Sequence, residues 1–173
     1  MSLALKMLKV ALAEAGVEEH PRGSNRGPRV DDYQRATWLE PKDWGAWCAA
    51  FVCFCMKTAM ELPHEKPYTF SRMRTGSVRG ASGIAAWSCR QDKSTHTKMS
   101  PGRDLLPGDI ITFRDFSHTA IVASGVDPDG HFDTVEGNTN DDGGREGYEV
   151  VHRKSPHKRR SINQVECRVR ILV

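Results

Sequence analysis

Near residue 100 the side-chain pattern switches from helical spacing to short runs rich in β-branched residues, and this switch limits the folds open to the chain. Upstream, "SLALKMLKVALAEAG" predicts an amphipathic helix capped by Ser2, with Leu5, Leu8, Leu12 and Ala15 along one face and Gly16 ending it. "PRVDDYQRATWLE" predicts a short second helix after the Gly-rich loop "RGSNRGP". A third helix runs from about Trp47 to Glu61 before Pro63, and a weaker fourth lies within "YTFSRMRTGSVRGASGIAAWSC". Residues 87–104 read as a long surface loop. Downstream, "DIITFRD", "HTAIVASG", "HFDTVEGN", "GYEVVHRK" and "ECRVRILV" predict strands separated by turn signals such as "DPDG" and "DDGG". Helices first and strands second predict an α+β fold, a helical half over about 1–100 packed on an antiparallel sheet over about 105–173. At 173 residues the chain reads as one domain, 1–173.

The formal charge of +3 demands no nucleic-acid partner. Basic residues do gather late, in Arg153, Lys154, Lys158, Arg159 and Arg160 with His152 and His157 between them; the run reads as a solvated loop, with contact to an anionic polymer as the alternative. Lys6 and Lys9 interrupt the first apolar stretch and no small-residue cleavage site follows, so no export signal is expected. No segment is apolar for long enough to span a bilayer, and the chain is expected to be soluble, without membrane insertion, and a monomer. Five scattered cysteines do not form the framework of a disulfide scaffold, so at least one thiol should be free.

Three of those cysteines lie in "AWCAAFVCFC". Their C-x4-C-x-C spacing is neither the paired spacing of a zinc site nor a C-x-x-C redox pair, and Asp31 and Asp32 are too few for a calcium site; no metal or other cofactor is expected. Cys53 and Cys55, among Phe51, Val52, Phe54 and Met56, read as apolar packing groups. Cys48 follows the loop "PKDWGAW" and stands at the first turn of the helix, where unpaired N–H groups and the positive end of the dipole favour a thiolate.

A nucleophilic cysteine needs a base. His118 opens the strand "HTAIVAS" beside a loop, whereas His20, His64, His96 and His157 lie in polar or Pro-rich stretches and His131 and His152 lack an orienting neighbour. That neighbour is sought in "HFDTVEGNT", where period-two alternation places Phe132, Thr134, Glu136 and Asn138 on one face if the strand stays regular through Gly137. Either Glu136 or Asn138 could accept the imidazole Nδ1–H and hold His118 ready to take a proton from Cys48. A solvated strand end is the competing role for Glu136.

Taken in order, "WCAAFV" around Cys48, "LPGDIITF", "HTAIV" at His118 and the E-x-N pair in "VEGNT" resemble the CHAP branch of the NlpC/P60-like peptidoglycan hydrolases, a papain-related group of cysteine amidases and endopeptidases. The segment "GSNRGPRVDDYQRATW" is similar to the preamble of phage-associated, endolysin-type members, and the resemblance spans most of the chain from about Ala11. It implies a papain-like fold, nucleophile Cys48, base His118, orienting Glu136, and Asn138 as a supporting or alternative partner. It also implies an oxyanion site made by the nucleophile's own N–H and a second donor, for which Asn25, Tyr33 and Gln34 are candidates. Trp44 and Trp47 could pack against glycan or stem peptide, with core packing as the competing role. "DWGAW" departs from the Gly-rich approach of some members.

The implied substrate is bacterial peptidoglycan, cut at the N-acetylmuramoyl–L-alanine link or at a peptide bond of the stem or cross-bridge. The implied routes to it are holin-type release, delivery in a phage tail, or secretion as an effector. Two rival readings use the same fold: a non-catalytic phage structural or wall-binding module, and a cysteine acyltransferase or deamidase acting on a host protein.

Overall fold

The computed structural model describes residues 1–41, 45–91, 93–114, 117–140, 147–154 and 158–173. Among the described residues four helices precede the strands: α1 (Leu3–Ala13), α2 (Pro28–Arg35), α3 (Cys48–Glu61) and α4 (Ile84–Cys89). The strands are β1 (Thr95–Met99), β2 (Ile110–Phe113), β3 (Thr119–Val122), β4 (His131–Phe132), β5 (Thr134–Thr139), β6 (Glu149–Arg153), β7 (Arg160–Ser161) and β8 (Val165–Ile171). Six of them form one antiparallel sheet in the order β1-β8-β2-β3-β5-β6, and β4 pairs with β7 separately. Mixed helix and antiparallel sheet is the expected α+β class.

The third helix is the centre of the core. From Cys48 to Met56 every residue is buried, because α1 and α2 cover one side of α3 and the sheet covers the other. A helix enclosed on all sides carries apolar groups all round, which accounts for the cysteines: Cys53 and Cys55 are core atoms, and burial pushes the Cys53 thiol up to about 12 and the Cys55 thiol well above its ordinary value.

Two glycines set how closely the layers approach. Gly108, at φ +90°, lies against the start of α1, and a Cβ there would come within 2.5 Å of the Ala4 carbonyl oxygen. Gly137, inside β5, faces the start of α3, where a Cβ would meet Phe51 Cβ at 2.7 Å and Trp47 Cζ3 at 2.8 Å. The "PGD" turn is completed by Asp109, which accepts from Leu106 N–H at 2.8 Å and pairs twice with Arg170 of β8.

Several expectations are corrected. Ser2 does cap α1, but the buried stripe is Leu3, Ala4, Met7, Leu8 and Ala11, while Leu5 and Leu12 are 43% and 39% exposed. The observed stripe is an equally good helical face, and packing against α3 selects it. The supposed loop 87–104 contains the end of α4 and β1, which pairs with β8 along its whole length. Thr-His-Thr-Lys-Met has weak alternation because β1 is an edge strand with one end exposed. The fourth helix is only the last six residues of its predicted segment. The "DDGG" turn lies outside the described residues.

Candidate active site

Cys48 is the first residue of α3, and three contacts bring that helix end to the sheet. Asn138 Oδ1 accepts from Trp47 N–H at 2.5 Å, Gly137 removes the obstructing side chain, and the Trp47 indole donates to Glu19 Oε1 at 2.7 Å. Asn138 is held in turn by donating to the Gly147 carbonyl at 3.2 Å. Its φ of +57° and the register shift between Glu136 and Thr139 show where regular alternation stops. Asn138 therefore serves the start of α3, and the imidazole is oriented by Glu136.

His118 immediately precedes β3 and is completely buried. Its Nε2 lies 3.0 Å from Glu136 Oε2. The sequence predicts the orienting bond on Nδ1; the strand geometry puts it on Nε2, leaving Nδ1 for Cys48, whose side chain lies near enough to the ring to favour its charged form. Glu136 is ionised and can only accept, so Nε2 carries a proton. Phe113 at the end of β2 stacks on the imidazole, centroids 5.6 Å apart and planes 19° apart, which fixes the ring plane.

Glu136 is not a solvated strand end. It is fully buried and accepts from Arg160 Nε at 2.7 Å, Arg160 Nη2 at 2.6 Å and Thr134 Oγ1 at 2.6 Å, with Arg153 Nε 3.2 Å away. Burial by itself would raise this carboxyl's pKa; the bonds from Arg160 and His118 outweigh it and hold it well below the usual carboxylate range. Burial likewise disfavours the charged imidazole, but the neighbouring Cys48 and Glu136 prevail and raise His118 to about 9.

The late basic run, read as a solvated loop, thus divides. Arg153 and Arg160 are buried against Glu136, and Arg160 also lies over the Phe113 ring at 4.9 Å. Arg159 bridges Asp127 at 2.5 Å and Asp133 at 2.6 Å. Nothing local in the sequence marks Arg153 and Arg160 as buried; the register does, setting Arg153 opposite Thr134 and Arg160 opposite Phe132. His157 lies outside the described residues.

The other candidates are redistributed. Trp47 and Tyr33 are fully buried and tilted against each other at 5.5 Å, and the Tyr33 hydroxyl donates to Glu14 Oε2 at 2.7 Å; both are core groups, which removes them as substrate contacts. Gln34 is buried and donates from Nε2 to the Asn25 carbonyl at 2.8 Å, so these two shape the loop before α2. Trp44 lies outside the described residues. Asp31 and Asp32 pair with Arg26 and Arg35, and among the described residues no cluster of His, Cys, Asp or Glu is arranged to hold a metal.

Cys48 opens onto a cleft of about 280 Å³, walled by Gly76, Ser77, Val78, Arg79 and Ser117. The segment 76–79 was missed as a wall because its sequence looked like part of a helix. A larger cavity of about 710 Å³, between the start of α1 and residues 63–69, is lined by neither Cys48 nor His118 and is separate from this chemistry. A thiol beside an imidazole, itself held by a carboxylate, can attack a carbonyl carbon and shuttle the proton.

Among the described residues no helix is long and apolar enough to cross a membrane. No curated protein and no solved structure matches the chain. The family model described as the CHAP domain matches residues 40–138, more than half of the chain, and this span contains Cys48, His118, Glu136 and Asn138. CHAP domains are generally cysteine- and histidine-dependent amidases or endopeptidases, which points to peptidoglycan hydrolysis in general. On that match, placed over the buried thiol, imidazole and carboxylate, the chain belongs to the CHAP domain family.

Proposed function

We propose that residues 1–173 form one papain-like catalytic unit that cleaves an amide bond of peptidoglycan, either the N-acetylmuramoyl–L-alanine link or a peptide bond of the stem or cross-bridge. The observation that carries this reading is the buried line Cys48, His118, Glu136 ending at a cleft. Cys48 sulfur, its proton on His118 Nδ1, attacks the carbonyl carbon; a C–S bond forms and the carbonyl electrons move to oxygen. The N–H groups of the first turn of α3 have no partner within the helix and face the developing oxyanion. As the carbonyl re-forms, the C–N bond breaks and Nδ1 gives its proton to the leaving amine. Water then attacks the thioester while Nδ1 takes its proton, the C–S bond breaks, and a carboxylic acid and free thiol result. Glu136 remains ionised throughout and offsets the imidazolium charge; Arg160 and Arg153 keep it so.

The test is incubation of wild type and Cys48→Ala with peptidoglycan sacculi from several bacteria, with mass spectrometry of what is released. Stem-peptide fragments from wild type alone support the reading, and their masses separate amidase from endopeptidase. No release from any sacculus overturns it.

A further inference from the structure

The cleft beside Cys48 contains one charged wall residue among those described, Arg79. Its Nη2 donates to the Phe113 and Arg114 carbonyls, and the same nitrogen lies 3.0 Å from Glu166 Oε2. These contacts tie the 76–79 segment to the end of β2. They use one nitrogen of the guanidinium: Nε and Nη1 donate to no acceptor among the described residues, and the side chain is 42% exposed. Ser77 and Ser117, on either wall, add two hydroxyls.

A guanidinium anchored by Nη2 keeps its positive charge and the N–H groups of Nε and Nη1, each able to donate one charge-assisted bond to an anionic oxygen. We infer that Arg79 is the anchor for a substrate carboxylate, so that the amide preferred at Cys48 is one flanked by a free carboxylate and not by its amidated form. This rests on the thiol-hydrolase reading of the same cleft and adds the substrate class: acidic peptides over neutral ones. Glu166 keeps the anchor from being an unbalanced cation in the empty cleft, and an incoming carboxylate would approach from the side that Glu166 does not occupy.

The experiment needs no turnover. Iodoacetate and iodoacetamide alkylate thiols alike but differ in carrying a carboxylate or its amide. Their rates at Cys48 are measured by peptide mass spectrometry in wild type, Arg79→Met and Arg79→Lys, with exposed Cys89 as the internal reference. His118 is present in all three proteins, so its charge cancels in the comparison. The iodoacetate-to-iodoacetamide ratio at Cys48 should fall about tenfold in Arg79→Met, the scale of one charge-assisted contact, and partly recover in Arg79→Lys. An unchanged ratio, or equal loss of both rates, overturns the proposal and leaves Arg79 as a structural latch. Should Arg79→Met not fold, wild type alone decides: N-acetyl-D-alanine should protect Cys48 from iodoacetamide and its amide should not, while equal protection overturns the inference. No labelling of Cys48 by either reagent overturns both this proposal and the thiol mechanism; labelling with an unchanged ratio overturns this one only.

Discussion

Replacing Glu136 by Gln keeps the shape of the side chain and removes one charge from a fully buried site. In the wild type that charge faces three partners: Arg160 through two bonds of 2.7 and 2.6 Å, Arg153 at 3.2 Å and His118 at 3.0 Å. The amide offers one acceptor where two oxygens stood, and its NH2 must point at donors. Two guanidinium groups are then left without a buried counter-charge, the case in which breaking a buried pair costs about 3–5 kcal/mol. At about 2–4 °C per kcal/mol for a chain of this size, Glu136→Gln should melt about 6–20 °C below wild type by circular dichroism at pH 7. The second mutation Arg160→Met should be less costly in that background than in wild type, by about 1–3 kcal/mol of coupling in urea titrations. A melting point within about 2 °C of wild type, or strict additivity of the two changes, would refute the account of Glu136 as the hub of the buried network.

Three further outcomes are expected. Because His118 is raised to about 9, its contribution to stability is complete below its unfolded value near 6.5 and is lost as pH climbs through 9; wild type should therefore lose on the order of 3 kcal/mol over that window relative to His118→Asn, and parallel pH curves for the two proteins would contradict it. The same shift places the alkaline limb of any rate profile near 9, above the neutral range expected for an unperturbed histidine. Gly137→Ala should cost about 1–3 kcal/mol, since the new methyl meets Phe51 Cβ at 2.7 Å next to the helix backbone; a neutral denaturation midpoint would show that α3 can retreat freely. Asn138→Ala should cost about 1 kcal/mol through loss of the bond to Trp47 N–H while leaving the His118 titration, followed by NMR, in place; a displaced titration would restore Asn138 to the imidazole.

Local chemistry made much of this legible in the chain itself. An apolar run before Pro63 can only be a buried helix, a cysteine at its first turn lies at the dipole's positive end, and Thr134 and Glu136, two residues apart on a strand, do share a face, as their 2.6 Å bond records. Each of these depends on spacing within a few residues. What only the tertiary structure decided depends on partners far along the chain. Asn138 serves Trp47 across 91 positions, Arg160 reaches Glu136 across 24, and Arg79 meets the end of β2 across 34 and 35. The same holds for burial: Tyr33 and Trp47 could have faced a ligand, and Leu5 could have faced the core, until α1, α2 and the sheet closed around α3. An arginine in a basic run is solvated or buried according to whether a carboxylate from another strand awaits it, and periodicity, which reports only the face a residue shares with its neighbours, carries no information about that partner.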